Sequence, residues 1–464
     1  MRFAACLLAL PAAALLAAAP PRDELATIAA ASGHPAKVHI RASATRVIEG
    51  RTVELSVDQF GPARLVRRCV SGTCAGTWFD GRRIWSFGIN EIPLPEQDDA
   101  AMPLRRTAAA IASYAFAEPA FRAAGGTVTA LGGGRFRVRA PAGADLVALV
   151  DETSHAVRRI ETNAGEIVAT YGHIVRIDGA LYALDRRGGF ETGPLDRAAA
   201  ARGPLAAPGG PAVTFAGKPS LALGDDPIPI VPCRLGQRDG RCLFDTGTEP
   251  SAIALPFAEA LGLEPRGELE IAGFGRFLTG MVESGPLEIG AARFDRVRLA
   301  VLPSANAARF DIIVGADLLG RVRLVLDRRG GTAEVGAPAP GAAPDAIALA
   351  FLGGRPHVAT TIGDAPVVAL FDTGDEATVS LGYAAYREGT QWPVAGRGIA
   401  RGVGGADDIL RVTVPQVHVG ALQLGETEAV VRRTQGEAHV GIGLWTRCRV
   451  ELDESNGRLA CGAR

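Results

Sequence analysis

The chain has 464 residues, 47% of them hydrophobic and 21% charged, with a formal net charge of -1. That length exceeds what one hydrophobic core organises, and the composition excludes a disordered or fibrous chain. Near-neutral charge, with no Lys/Arg cluster interleaved with aromatics, lacks the electrostatic footprint of a nucleic-acid-binding protein.

Arg2 is followed by an apolar run from Phe3 to Ala19 that closes on three alanines, the pattern of a cleaved secretory signal over residues 1–19. The mature chain is expected to start near Pro20 and to be periplasmic or secreted. A lipid anchor would require a cysteine after the apolar run, whereas Cys6 lies inside it. No later stretch reaches the roughly 18 apolar residues of a membrane span, so none is expected. The six cysteines left after processing fall into three close pairs, Cys69/Cys74, Cys233/Cys242 and Cys448/Cys461. In an oxidising compartment they read as disulfides, with reduced buried thiols as the alternative. Neither Cys-x-x-Cys nor His-x-x-x-His spacing occurs, so no metal and no cofactor is expected.

Residues 20–194 read as a β-rich domain. Segments such as Arg51–Val57 and Gly134–Arg139 alternate apolar and polar residues between Gly-rich turns, and one helix is predicted around Leu104–Phe116. The Ala/Gly/Pro stretch of 195–219 reads as a linker.

The remainder carries an internal repeat. Leu243–Glu249 matches Leu370–Glu376 at six of seven positions, and Gly315, Arg321, Arg323, Asp327 and Gly331 match Gly441, Arg447, Arg449, Asp453 and Gly457. Two copies follow, residues 220–335 and 345–464, joined by a Gly/Ala/Pro linker at 336–344. Both are strand-rich, with short helices expected at Phe257–Leu263 and Tyr383–Arg387.

In each copy Asp-Thr-Gly ends an apolar strand, at Asp245-Thr246-Gly247 and Asp372-Thr373-Gly374. The glycine permits a turn whose backbone closely approaches a facing copy, and the threonine hydroxyl can hydrogen-bond across. Two such turns meeting around a pseudo-dyad would place Asp245 and Asp372 side by side. Adjacent carboxylates cannot both ionise cheaply, so the pair keeps one proton and titrates as a unit. The ionised member can then deprotonate a water while the protonated member serves as acid.

From about Asp226 to the C-terminus the sequence resembles the pepsin-like and retropepsin-like aspartic proteases. The resemblance implies a mainly β, two-lobed fold of double-retropepsin β-barrel type, with Asp245 and Asp372 catalytic and Thr246, Gly247, Thr248, Thr373, Gly374, Asp375, Gly315 and Gly441 supporting them. Ile312–Gly315 and Ala438–Gly441 correspond to the family's apolar-apolar-Gly segment beside each catalytic turn, the second with His439 intruding. A flap over the cleft is implied, at Ala272–Phe277 or at Gly396–Gly405. Thr248 suits the position after the turn by offering a hydroxyl to Asp245, whereas Asp375 departs from the pattern. As a third carboxylate it would raise the proton affinity of the cluster; pointing to solvent, or protonated, it would not. The N-terminal domain weakly resembles half-barrel domains of the outer-membrane lipoprotein carrier kind, through Phe79–Trp85 and Tyr171–Asp178.

The expected activity is that of an aspartic endopeptidase, acting as a monomer on a protein or peptide substrate. A non-catalytic peptide binder of the same fold and a lipid or lipoprotein carrier are the alternatives. His155, His173, His357 and His418 read as surface or core histidines, the four tryptophans as core or cleft lining, and Ser71 and Ser251 lack the context of a nucleophile.

Overall fold

The computed structural model describes residues 22–33, 38–96, 101–188, 191, 193–203, 205–303, 309–339, 346–389, 392–433 and 435–462. The signal segment and most of the 336–344 linker lie outside them. The chain is mainly β and divides into two compact units.

The first unit comprises the described residues within 1–44, 58–64 and 99–205. Its centre is a six-stranded sheet running from Thr127–Gly132 to Ala180–Arg187, each strand beside its neighbour in sequence. The predicted helix is present as Met102–Ala112; it stops there because Tyr114 adopts the left-handed region at φ 58°, and a 3-10 turn, Ala115–Ala117, follows. Two further helices occur, Arg22–Ser32 and Pro119–Ala123, so the single helix expected from the pattern was an undercount. Short Ala-rich helices carry too few apolar positions for a visible period. Their buried residues, including Leu25, Ile28, Ile111 and Phe121, join Phe116, Phe136, Val138 and Ile160 in one core.

The second unit comprises residues 45–57, 65–98 and 206–464. The repeat is realised in its strand register. In lobe one, Arg238–Asp245 pairs antiparallel with Ile230–Leu235 and parallel with Ile312–Gly315, which sets Asp245 opposite Gly315. In lobe two, Ala365–Asp372 pairs antiparallel with Arg355–Ile362 and parallel with His439–Gly441, which sets Asp372 opposite Gly441. Strands flanked on both sides bury both faces, which is why Cys242, Leu243 and Phe244 are buried in succession, as are Ala369, Leu370 and Phe371. The lobes share a ladder in which Arg323–Asp327 pairs antiparallel with Arg449–Asp453. Arg323 adds a bidentate contact to Glu451, at 2.7 and 2.9 Å.

The two helices predicted in the repeat are present as Leu255–Ala260 and Tyr383–Gly389, and a short third, Ala316–Leu319, follows Gly315. Within the stretch read as a linker, Arg197–Ala200 and Val213–Phe215 are strands. All three cysteine pairs are disulfides: Cys69–Cys74, Cys233–Cys242 and Cys448–Cys461. No described helix is long and apolar enough to cross a membrane.

Candidate active site

The two Asp-Thr-Gly turns interlock. Thr246 and Thr373 are fully buried. The hydroxyl of Thr373 donates to the carbonyl of Phe244 at 2.8 Å and accepts from the backbone N–H of Thr246 at 3.1 Å. The hydroxyl of Thr246 makes the mirror-image pair, donating to the carbonyl of Phe371 and accepting from the N–H of Thr373 at 3.0 Å. Each hydroxyl thereby satisfies two backbone groups of the opposite lobe, groups that would be costly to bury unpaired.

The glycines carry the same symmetry. A Cβ on Gly247 would lie 2.5 Å from Cγ of Asp372, and a Cβ on Gly374 would lie 2.5 Å from Cγ of Asp245. Only glycine allows each carboxylate to rest on the other lobe's turn. Asp245 and Asp372 are thus brought against one another, as the pseudo-dyad requires. Gly315 and Gly441 back the turns, since a Cβ on either would strike backbone carbonyl oxygens, that of Thr248 in lobe one and those of Ala377 and Asp375 in lobe two.

The support around the two carboxylates differs. Asp245 accepts from the Gly247 N–H at 3.0 Å through Oδ1 and from the Thr248 hydroxyl at 2.7 Å through Oδ2. Burial, and then the charge of Asp372, push its carboxyl up to about 8. Asp372 accepts from the Gly374 N–H at 2.9 Å through Oδ1, but its Oδ2 faces Nδ1 of His439 at 3.2 Å. Asp375 neither faces solvent nor replaces the Thr248 hydroxyl. It is buried, accepts from Arg432 Nη2 at 2.9 Å and from the Ala377 N–H at 3.1 Å, and lies 3.5 Å from His439 Nδ1. Burial acts to raise the Asp375 carboxyl, but His439 and Arg432 outweigh it and hold it below the usual range. Burial likewise acts to lower His439, and Asp372 and Asp375 overcome it, carrying the imidazole up to about 9. Asp375 is therefore a compensated anion, not a third uncompensated charge on the dyad.

Behind the lobe-one turn, Asp317 gathers buried hydrogen-bond partners that the sequence pattern did not mark. The Ser251 hydroxyl donates to Asp317 and accepts from the Gly315 N–H at 2.9 Å; Asn90, from the 65–98 segment, donates to Asp317 at 2.7 Å. Asn90 also ties to the backbone of Arg298, donating to its carbonyl and accepting from its N–H. Of the histidines set aside, His357 is a satisfied core residue, held by Glu437 at 3.1 Å and the Arg355 carbonyl at 2.9 Å.

Both segments proposed as flaps are hairpin tips, one joining Arg266–Ala272 to Arg276–Ser284 and the other joining Val394–Gly402 to Gly405–Val419. They touch. The Phe274 N–H donates to the Val403 carbonyl at 2.8 Å, and the Phe274 ring lies under the Arg432 guanidinium, 5.2 Å from it. The lobe-one tip thus reaches the cation that holds Asp375.

Residues 231–318 match the aspartyl protease family. This segment runs from the strand before Asp245 through Gly315, and together with the interlocked second turn it gives the C-terminal two lobes an aspartic-protease-like fold. No curated protein matches the sequence. Among solved structures, a retropepsin-like aspartic protease from Rickettsia conorii aligns at 13% identity, covering 25% of this chain and 98% of its own, with a TM-score of 0.21. Basic 7S globulin from soybean aligns at 11% identity, covering 54% of this chain and 94% of its own, with a TM-score of 0.30.

Proposed function

We propose that the protein is an aspartic endopeptidase that hydrolyses peptide bonds with Asp245 and Asp372 as its catalytic pair. The observation that carries this reading is the reciprocal grip of the two Asp-Thr-Gly turns, which presses each carboxylate onto the other lobe's glycine. Burial keeps a proton on the pair through neutral pH, the state general acid–base hydrolysis needs. The ionised carboxylate takes a proton from water as its oxygen attacks the substrate carbonyl carbon, and the protonated one donates to the developing oxyanion. The tetrahedral species collapses with cleavage of the C–N bond and a proton passing to the leaving nitrogen, and the pair returns with a single proton. The paired hairpin tips would fold over an extended peptide.

The substrate is a protein or peptide, both half-sites lie in one chain so a monomer suffices, and the disulfides suit a periplasmic or secreted location. The domain scheme extends the reading: residues 220–335 and 345–464 are the two catalytic lobes, and residues 20–194, apart from the 45–57 and 65–98 segments that pack with those lobes, are accessory.

The test is cleavage of a peptide library between acid and neutral pH by the wild type, Asp245→Asn and Asp372→Asn. Loss of cleavage in both variants, at least 100-fold, is expected for general acid–base partners. Retained cleavage in Asp372→Asn would remove lobe two from the chemistry.

A further inference from the structure

The strand registers place three residues of lobe two opposite three counterparts in lobe one. Asp375 corresponds to Thr248, each third after its catalytic aspartate. His439 pairs with Leu370 as Ile313 pairs with Leu243. Arg432 pairs with Gly382 as Leu302 pairs with Ala254. Lobe one thus has a hydroxyl and two buried aliphatic side chains where lobe two has an anion and two cations.

In lobe two these three meet. Arg432 reaches Asp375 at 2.9 Å, and Nδ1 of His439 stands between Asp375 at 3.5 Å and Asp372 at 3.2 Å. Nδ1 of His439 faces both carboxylates within hydrogen-bonding reach, so hydrogen bonding and charge together tie the ring to Asp372 and Asp375. A cation beside one member of a carboxylate pair, and a neutral hydroxyl beside the other, breaks the symmetry that the interlocked backbones create.

We propose that His439, backed by Asp375 and Arg432, is a positioning residue that makes Asp372 the ionised base of the pair and leaves the shared proton on Asp245. This assignment rests on the endopeptidase reading for its catalytic meaning. The groups facing His439 agree with it. Asp372 comes from the adjoining catalytic strand and Asp375 from the turn after it, while the other flanking strand, Val379–Gly382, contributes the uncharged Ser380. Arg432 lies behind Asp375, and Glu437, on the approach to the strand, is itself occupied by His357 and Arg355. Asp372 then takes the proton of the attacking water, and Asp245, with Thr248 on its outer oxygen, gives its proton to the carbonyl oxygen.

Two measurements on the full chain test this. The first follows the ring signals of His439 by NMR across pH, assigned by their loss in His439→Gln. The ring should stay charged to about pH 9 in the wild type and titrate lower in Asp372→Asn. Titration near the ordinary value, or titration unmoved by Asp372→Asn, overturns the proposal. The second is the pH dependence of kcat/KM for His439→Gln and for the triple variant Asp375→Thr, Arg432→Leu, His439→Ile, which installs a packing lobe one already uses. Both should move the acidic limb upward, because the carboxylate pair loses the neighbouring cation that favours its ionised member. A uniform loss at every pH, with the limb in place, would mean the three residues only support the fold. A ring that titrates as expected in a protein that cleaves nothing would uphold the charge arrangement and remove hydrolysis alone.

Discussion

Lobe one and lobe two build the same turn from the same tripeptide, and they diverge one shell out. In lobe one the turn is closed by neutral groups: Thr248 on the carboxylate, then Ile313 and Leu302 in the core. In lobe two the same three positions are occupied by Asp375, His439 and Arg432, which compensate one another. The difference teaches that the grip fixes where the two carboxylates sit, while the next shell sets what each one does. A dimer of identical lobes cannot divide the labour in this way, because any substitution near one aspartate appears near both.

The largest expected effect tests the shared part. Gly247→Ala and Gly374→Ala each drive a methyl into the opposing carboxylate, and each should lower kcat/KM at least 100-fold and destabilise the fold by roughly 3 kcal/mol in urea unfolding. The two losses should be equal within error; unequal losses would show that the asymmetry already begins in the backbone. Next comes the divergent part. Asp375→Ala strands Arg432 and should cost about 3 kcal/mol, against about 1 kcal/mol for Thr248→Ala, which removes one hydrogen bond. Equal costs would mean that Arg432 finds water or another partner when Asp375 is gone.

A third comparison concerns Glu249 and Glu376, the same repeat position. Glu249 is pushed from 4.5 up to about 8 by burial and then by Asp317. The native state therefore holds this proton more tightly than the unfolded chain, so the stabilisation is full below about pH 4.5 and is lost as pH rises toward 8. Glu249→Gln should flatten the decline in stability between pH 5 and 8 by on the order of 2 kcal/mol, read from urea midpoints at several pH values. A slope unchanged from the wild type would mean that Glu249 is hydrated and ionised. Glu376 is the smallest case. It is exposed and paired with Arg309 at 3.0 Å, and Glu376→Gln should change stability by less than about 0.5 kcal/mol at any pH.

The repeat, the paired Asp-Thr-Gly turns and both hairpin tips were legible in the sequence because each is locally encoded, by an apolar strand meeting a turn or by glycines bracketing one. The charge triplet was not. Asp375 and Arg432 are 57 residues apart and meet only through the strand ladder. A position-by-position comparison of the two repeats, including their strand ends, would have exposed three aliphatic or hydroxyl residues replaced together by charges. Asn90 was still less visible, because it reaches Asp317 from 227 positions away and a single asparagine carries no period. Its contact ties residues 65–98 to the compact unit that holds both lobes rather than to a separate N-terminal domain. Glu249 was hidden for a different reason: it looks the same as Glu376 in sequence, and only burial separates them.

The threonine grip has a consequence in time. Thr246 finds the Thr373 N–H and the Phe371 carbonyl only once the second lobe has been made, 127 residues later. Asp245 is therefore without its partner for the whole interval in which the first lobe emerges and folds. Under the proposed endopeptidase function, such a chain cannot cut its neighbours while it is being made, and it becomes competent only in the step that completes its own fold.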